Sequence, residues 1–521
     1  SVFMTALGWS ELPDGITGVS FSTSSGAVDG SSAPAANVTA ELIGDYMVLD
    51  GVLKYVSPSL TEFVIPDSAI SISSRAFDDC SGLASVTIGA NITSLNTSVF
   101  DDCDELTTLN VAEGNTVYRS AGNCIIDAEN QTLILGCKGS VIPADGSVTT
   151  IGENAFNGLT GLISITIPES ITKIEDSAFE NCTGLTEINW NAIAVEDFAE
   201  FSSYMYEYED VYTKVFSGAG TDGPGITVTF GDAVTHVPAG LFCSPNNGFN
   251  SYDYITPNIK SVFIGDNVAA IGAYAFARCE GITEIILPEN LTNIGDCVFS
   301  GCTGLTSITI PDSVASIGSY AFGGCTGLTS IAIPDSVTSI EDSVFNGCTG
   351  LTSITIPVSV ASIGSYAFGG CTGLTSITIP DSVTSIGHHA FSDCAGLTAV
   401  TIPNAVANVG SDAFAGCVGL TEINWNAVAI EDSDANVSIF ASAGAESTGI
   451  TVTFGSDVES IPAYLFYASD YDTPKVINVV IGDNVTSIGD SAFRGCAELT
   501  WINIPDSVTH IGESAFKDCI A

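Results

Sequence analysis

The sequence predicts a solenoid, α/β or mainly β, in which about 17 or 18 coils of about 23 residues stack on one parallel sheet with short helical or irregular turns opposite. Three observations predict it. Cys279, Cys302, Cys325, Cys348, Cys371, Cys394 and Cys417 recur at a step of 23, as do Cys80 with Cys103 and Cys496 with Cys519. The apolar residues between these cysteines return in register from one repeat to the next. Finally, 45% of the 521 residues are hydrophobic, ample for a core, yet no uncharged apolar run reaches the roughly 18 residues of a membrane helix.

One repeat, residues 303–325, shows how a coil is built. Leu305, Ile308 and Ile310 have the spacing of a short strand with a bent entry. Pro311 ends it, because proline has no N–H for a further ladder bond. Pro311-Asp312-Ser313 then suits a tight turn, with the Asp312 carboxylate accepting from a nearby N–H. Val314 and Ile317 lead back to the interior, and Gly318 permits a sharp bend. Ala321, Phe322 and Cys325 fall on one inner face of a short turn. No coil buries its apolar face alone, so the array has to be long.

Leu305-Thr306-Ser307-Ile308-Thr309-Ile310-Pro311, followed by Ile317-Gly318 and Ala321-Phe322 before Cys325, resembles the BspA-like leucine-rich-repeat family of cell-surface proteins. The period lies within the leucine-rich-repeat window. Asp45 to Tyr55, with Asp50-Gly51 at its turn, is similar to that family's lead-in hairpin, and 123–137 to the hairpin such proteins insert between repeats. The resemblance implies an extracellular or cell-surface location and adhesion without catalysis. It names no ligand.

Residues 1–39 read as an apolar arm (1–21) and a Ser/Ala/Gly-rich linker, and 40–521 as one solenoid. Two blocks, 182–279 and 417–496, echo each other: Glu187-Ile188-Asn189-Trp190 returns as Glu422-Ile423-Asn424-Trp425. Both carry insertions. Their loops hold the ligand candidates Tyr204, Tyr206, Tyr208, Tyr212, Phe249, Tyr252, Tyr254, Tyr467 and Tyr471, set among Asp, Glu and Asn. Aromatic faces beside short acceptors suit a host protein or glycan, and rather more a loop folded back over the core.

Charge excludes whole classes of function. Acids are about 12% of the chain and bases about 2%, for a formal charge of -49, and no Lys or Arg occurs from Cys279 to Thr473. Such a surface repels phosphate backbones and anionic headgroups, so nucleic-acid binding is excluded and membrane insertion is not expected. Enzyme motifs fail as well. Gly218-Ala219-Gly220-Thr221-Asp222-Gly223 matches a nucleotide-loop pattern, but Pro224 and a strand follow it. His388-His389 replaces Ser-Tyr at an exposed place. No cofactor is expected. For calcium the weak candidates are Asp432, Asp434 and Asn436, which lack the loop glycine and distal Glu, and the carboxylate row Asp312, Asp335 and Asp381.

The cysteine ladder reads as buried free thiols, with Cys124 and Cys137 the best disulfide candidates. N-glycosylation sequons occur at Asn37, Asn91, Asn96, Asn130, Asn181, Asn290, Asn436 and Asn484, close to the number chance supplies. The start, Ser1-Val2-Phe3-Met4, lacks the pattern of an intact signal peptide. The last coil carries Phe516 and Ile520 with no polar cap after them, and Val2, Phe3, Met4, Leu7 and Trp9 form the apolar arm. An arm lying across the last coil of the next molecule would give a head-to-tail homopolymer, a surface filament. Two readings follow: a self-assembling structural protein, or a monomeric adhesin using its Tyr/Asp loops and sheet.

Overall fold

The computed structural model describes residues 45–198, 214–243, 255–430, 438–467 and 473–520, together with the backbone of the strands Val19–Ser22 and Asn37–Ile43. Its contacts divide the chain into two compact units, 1–195 with 214–224 and 196–213 with 225–521. Both are β-solenoid, with about 18 turns of about 23 residues in all. Of the helical or irregular turns expected opposite the sheet, the described residues have almost entirely the irregular kind, with one 3-10 helix at Thr97–Phe100. The reason is local. Tyr320 and Gly324 sit at φ 56° and 72°, and a left-handed residue in mid-turn stops a right-handed helix from propagating.

The first unit opens on antiparallel pairs, Val19–Ser22 with Asn37–Ile43, then Tyr46–Leu49, then Val52–Val56. Strand therefore replaces part of the segment read as arm and linker. Asp50 and Gly51, at φ 49° and 75°, make the tight hairpin turn their sequence asks for. From there pairing is parallel, as in Glu62–Val64, Ser85–Ile88 and Thr108–Val111. The inserted hairpin is a three-stranded meander, Tyr118–Ala121, Cys124–Asp127 and Thr132–Leu135, which rejoins the parallel ladder at Thr150–Ile151.

The second unit carries the most regular coils. Parallel strands Ile226–Phe230, Ile259–Phe263 and Glu284–Ile286 lead through single bridges at Thr309 to Ser330–Ala332 and Ser353–Thr355. Ala399–Ile402, Glu422–Trp425, Ile450–Phe454, Val476–Val480 and Trp501–Asn503 form a further parallel sheet. Beside the expected sheet there is a second parallel ladder of two-residue strands, such as Ser339–Ile340, Ser362–Ile363, Ser385–Ile386 and Asn408–Val409. It arises because the chain stays extended for two residues between the proline turn and the following glycine. That glycine has a different role from the one its sequence suggests. A Cβ on Gly318 would lie 2.5 Å from Asp296 N, so the position needs close approach, and the bend is made at Tyr320.

The proline turn also differs in detail. Asp312 is exposed, and the Ser313 hydroxyl makes the contact, donating to Leu291 O at 2.6 Å. Ser336, Ser359 and Ser382 repeat it on Val314, Val337 and Val360. In the most regular coils each turn opposite the sheet donates three N–H groups to the next coil. In one repeat these are Tyr320 to Asp342 O, Phe322 to Val344 O and Gly324 to Asn346 O, at 3.0, 2.9 and 2.7 Å. Phenylalanine rings stack without a break from Phe242 to Phe516, and Phe322 lies 5.5 Å from Phe299 and 5.7 Å from Phe345. Such contacts add about 0.5–1.5 kcal/mol each to the burial of the rings.

The cysteines are thiol donors. Cys325 Sγ donates to Phe299 O at 3.1 Å, and Cys348, Cys371, Cys394 and Cys417 repeat the contact on Phe322, Phe345, Phe368 and Phe391. Burial, with no cation nearby to oppose it, pushes the thiols of Cys325, Cys371 and Cys417 up to about 12.

Two outcomes are expected. Phe322→Ala should cost about 3–5 kcal/mol, read as early loss of hydrogen-exchange protection in the coils on either side before the rest of the chain opens. The thiols set a pH dependence. Between the ordinary value of 9.0 and about 12 an unfolded chain loses thiol protons that the folded chain keeps, so stability falls as pH rises through that window. Denaturation midpoints at pH 8 and 10 should differ, and replacing Cys325, Cys371 and Cys417 by Ala should flatten the difference.

Candidate functional site

The bent entry to a strand and the alternation that follows it send several side chains of a repeat outward. In 303–325 these are Thr306, Ser307 and Thr309, all exposed, on either side of buried Ile308. Stacked coils turn them into columns. In the Thr306 column four hydroxyls donate to the strand before them: Thr329 to Thr306 O, Thr352 to Thr329 O, Thr398 to Thr375 O and Thr421 to Thr398 O, at 3.4, 3.2, 3.3 and 3.0 Å. The outer face is thus a field of hydroxyls pinned in place, with lone pairs toward solvent and no positive charge over many coils.

One part of this face differs. Phe263 and Ile286 occupy the column that Thr309, Ala332 and Thr355 continue, and they are paired in register. Their fractional exposures are 49% and 60%. A ring and a branched chain in direct lateral contact with solvent, on strands whose inward residues Val262 and Ile285 are buried, are surplus to the core. This apolar pair was missed in sequence, because a three-residue strand with apolar residues on both faces reads as ordinary core. The signal was the departure of Phe263 and Ile286 from the Ser/Thr usage of neighbouring repeats.

The residues singled out in sequence fall elsewhere. Tyr204, Tyr206, Tyr208, Tyr212, Phe249, Tyr252, Tyr254 and Tyr471 lie outside the described residues, as do Asp432, Asp434, Asn436 and the arm residues Val2, Phe3, Met4, Leu7 and Trp9. Tyr467 is described. Its ring meets Tyr464 edge-on at 5.8 Å and carries the Arg494 guanidinium of the next coil at 5.5 Å, so it is committed to packing between these two coils. Phe516 stacks on Phe493 at 5.4 Å, while Ile520 is 83% exposed. His388 Nδ1 accepts from Ser411 N at 3.0 Å, and His389 stacks on Tyr366 at 4.6 Å. The glycine-rich loop 218–223 is tied down, Asp222 N donating to Thr183 O at 3.0 Å.

Cys124 and Cys137 are separate thiols, Cys124 Sγ directed at Gly122 O and Cys137 Sγ at Asn123 O. Several sequon amides are part of the fold. Asn91, Asn290 and Asn484 donate Nδ2 to Asp67 O, Asp266 O and Ser456 O, each a coil earlier, at 2.8, 2.9 and 2.7 Å. Asn96 Oδ1 accepts from Ser98 N, and Asn130 Nδ2 donates to Asp127 Oδ2. Asn181 is exposed at φ 58°, and Asn37 lies in a strand. The carboxylates Asp312, Asp335 and Asp381 point to solvent, and no group of three His, Cys, Asp or Glu is placed to hold a metal among the described residues. Nor is any helix there long and apolar enough to cross a membrane.

Comparison with known proteins bears on the same features. No curated protein matches the chain. Among solved structures it is similar to a leucine-rich repeat protein from Bacteroides ovatus, 26% identical over 77% of this chain and 90% of that one, with a TM-score of 0.52. A leucine-rich cell surface protein from Faecalibacterium prausnitzii is 23% identical over 74% of this chain and 94% of that one, with a TM-score of 0.33. The family model of the BspA-type leucine-rich repeat region matches in six copies, over 52–123, 135–216, 248–375, 340–473 and 459–521. With its 23-residue coils, thiol ladder and hydroxyl-faced sheet, the chain belongs to the BspA-type leucine-rich-repeat family.

Proposed function

We propose that the protein is a non-catalytic, extracellular binding protein of the cell surface, and that the outer strand face of its second compact unit is where a protein partner docks. The observation that carries this reading is the exposed pair Phe263 and Ile286 within a hydroxyl field. Apolar anchors ringed by groups that hydrogen-bond and exclude water are the anatomy of an interface hot spot. The surrounding charge selects the partner: with 60 acids against 11 bases, a neutral or basic protein surface is attracted and an acidic one repelled. Phe249, Tyr252 and Tyr254 precede the strand Ile259–Phe263 in the chain, so the aromatic loop and the anchors belong to one stretch of sequence. Beads coated with the full chain should adhere to epithelial monolayers, and Phe263→Asp with Ile286→Asp should cut adhesion at least about tenfold, the loss of a single hot spot. Both side chains point to solvent, so the thermal midpoint should hold. Undiminished adhesion by the double variant would refute this docking face.

A further inference from the structure

In the first compact unit the phenylalanine ladder is broken. Phe63, Phe77 and Phe100 form one edge-to-face run, with centroids 5.9 and 4.7 Å apart, and Phe156, Phe179 and Phe216 a stacked run at 4.9 and 5.0 Å. The coil between them is the one that carries the inserted meander, and it has Leu135-Gly136-Cys137 where its neighbours have Val99-Phe100 and Ala155-Phe156. Phe156 has settled against that backbone: a Cβ on Gly136 would lie 2.0 Å from its ring. Toward Phe100 nothing replaces the missing ring, and a cavity of about 430 Å³ remains. That is within the range of small-ligand sites, about 300–1,000 Å³.

The lining of this cavity is mixed in a particular way. Phe100, Leu106 and Leu135 supply its apolar part. Asn96, Asn154 and Asn157 supply amides whose hydrogen bonds with neighbouring residues leave specific atoms over. Asn96 Oδ1 is taken by Ser98 N and Ser98 Oγ, at 3.0 and 2.8 Å, which leaves its Nδ2 as a donor. Asn157 Nδ2 donates to Asn154 Oδ1 at 2.8 Å, which leaves the Asn157 Oδ1 as an acceptor. Asp101 adds a carboxylate on the solvent side, raised above the ordinary aspartate range by burial and then by Asp102. An adjoining cleft of about 390 Å³ shares Asn96, Thr97 and Asn154 and continues past Thr132. Among the described residues no lysine or arginine lines either space, so a phosphate or carboxylate ligand would meet Asp101 without a counter-charge.

We propose that this gap in the ring ladder, between the coil of Asn96–Cys103 and the coil of Asn154–Leu159, is a binding site for a neutral saccharide of mono- to disaccharide size. Sugar hydroxyls donate and accept at once, matching the spare donor of Asn96 and the spare acceptor of Asn157, and the C–H faces of a pyranose lie against Phe100 and Leu135. The site is independent of the strand face proposed for protein docking, which lies in the other compact unit.

The test uses the full chain and named probes: glucose, galactose, N-acetylglucosamine, maltose and cellobiose, with putrescine as the cationic comparison, followed by saturation-transfer NMR and calorimetry. At least one sugar should bind with a Kd on the order of 1 mM or tighter. Asn157→Leu, which removes the acceptor and fills space, should weaken it at least about tenfold. Asp101→Asn should keep it, and Thr309→Val, on the strand face of the other unit, should leave it unchanged. Thermal midpoints report whether each variant folds; should Asn157→Leu not fold, Asn157→Asp, which keeps the acceptor and loses the Asn154 contact, should still bind. No binding by any sugar, equal binding by a folded Asn157→Leu, or binding of putrescine alone would overturn the proposal.

Discussion

A coil in this protein cannot satisfy its own backbone, and the structure depends on how neighbours supply what is missing. Three N–H groups per turn reach forward, as from Tyr320, Phe322 and Gly324, while the serine hydroxyl and the cysteine thiol reach back, as from Ser313 and Cys325. These contacts close only if every coil repeats the same rise and the same positions. Buried polar groups left unmatched cost about 1–3 kcal/mol each, so one coil out of register would be penalised several times over. The fixed step of 23 residues is the visible result of that constraint. The ring ladder, the thiol ladder and the outward hydroxyls follow from it, since identical residues meet wherever identical backbones stack.

The division between polar and apolar work explains the unusual composition. Inward positions are filled by Leu, Ile, Val, Phe and Cys, and outward ones by Ser and Thr, many of which donate to the neighbouring strand, so most contacts between coils use no charge. Among the described residues ion pairs are sparse: Lys138 with Glu105 and Lys173 with Glu175 lie in the first unit near the inserted meander, and Arg494 with Asp518 in the second. A fold independent of salt bridges is free to shed its cations. What remains is an acidic, hydroxylated exterior suited to staying in solution while offering few nonspecific contacts.

Much of this was legible in the sequence, because repetition averages away local ambiguity. One Leu-Thr-Ser-Ile-Thr-Ile segment says little, but the same segment recurring in register assigns strand, inside and outside together. The thiols were legible as buried for the same reason. What escaped was anything decided by distance between coils. Gly318 reads as a bend, and only the stacked backbone shows that Asp296 leaves no room for a side chain there. Tyr320 and His389 give no hint in sequence that they adopt left-handed backbone, at φ 56° and 53°, since that strain is imposed by the neighbouring coil's carbonyl. The sequence points to Asp312 for the turn's polar contact, and the contact that forms is Ser313's, to a carbonyl of the preceding coil. The candidate surfaces were harder still: Phe263 and Ile286 look like core until the face is drawn, and the cavity beside Phe100 is defined by a ring that is missing.

The matched donors and acceptors have a further consequence for how such a chain changes length. Each regular coil presents to the coil before it and the coil after it the same set of groups, so excising a whole repeat, such as 326–348, would bring together two surfaces already complementary. Gain or loss of a segment of any other length would misalign rings, thiols and hydroxyls at once. Recombination between the stretches that encode the near-identical segments 303–325 and 349–371 produces the tolerated kind of change automatically. The gene can therefore lengthen or shorten its product in whole coils, moving a loop-bearing block toward or away from its counterpart, without any new packing having to be found.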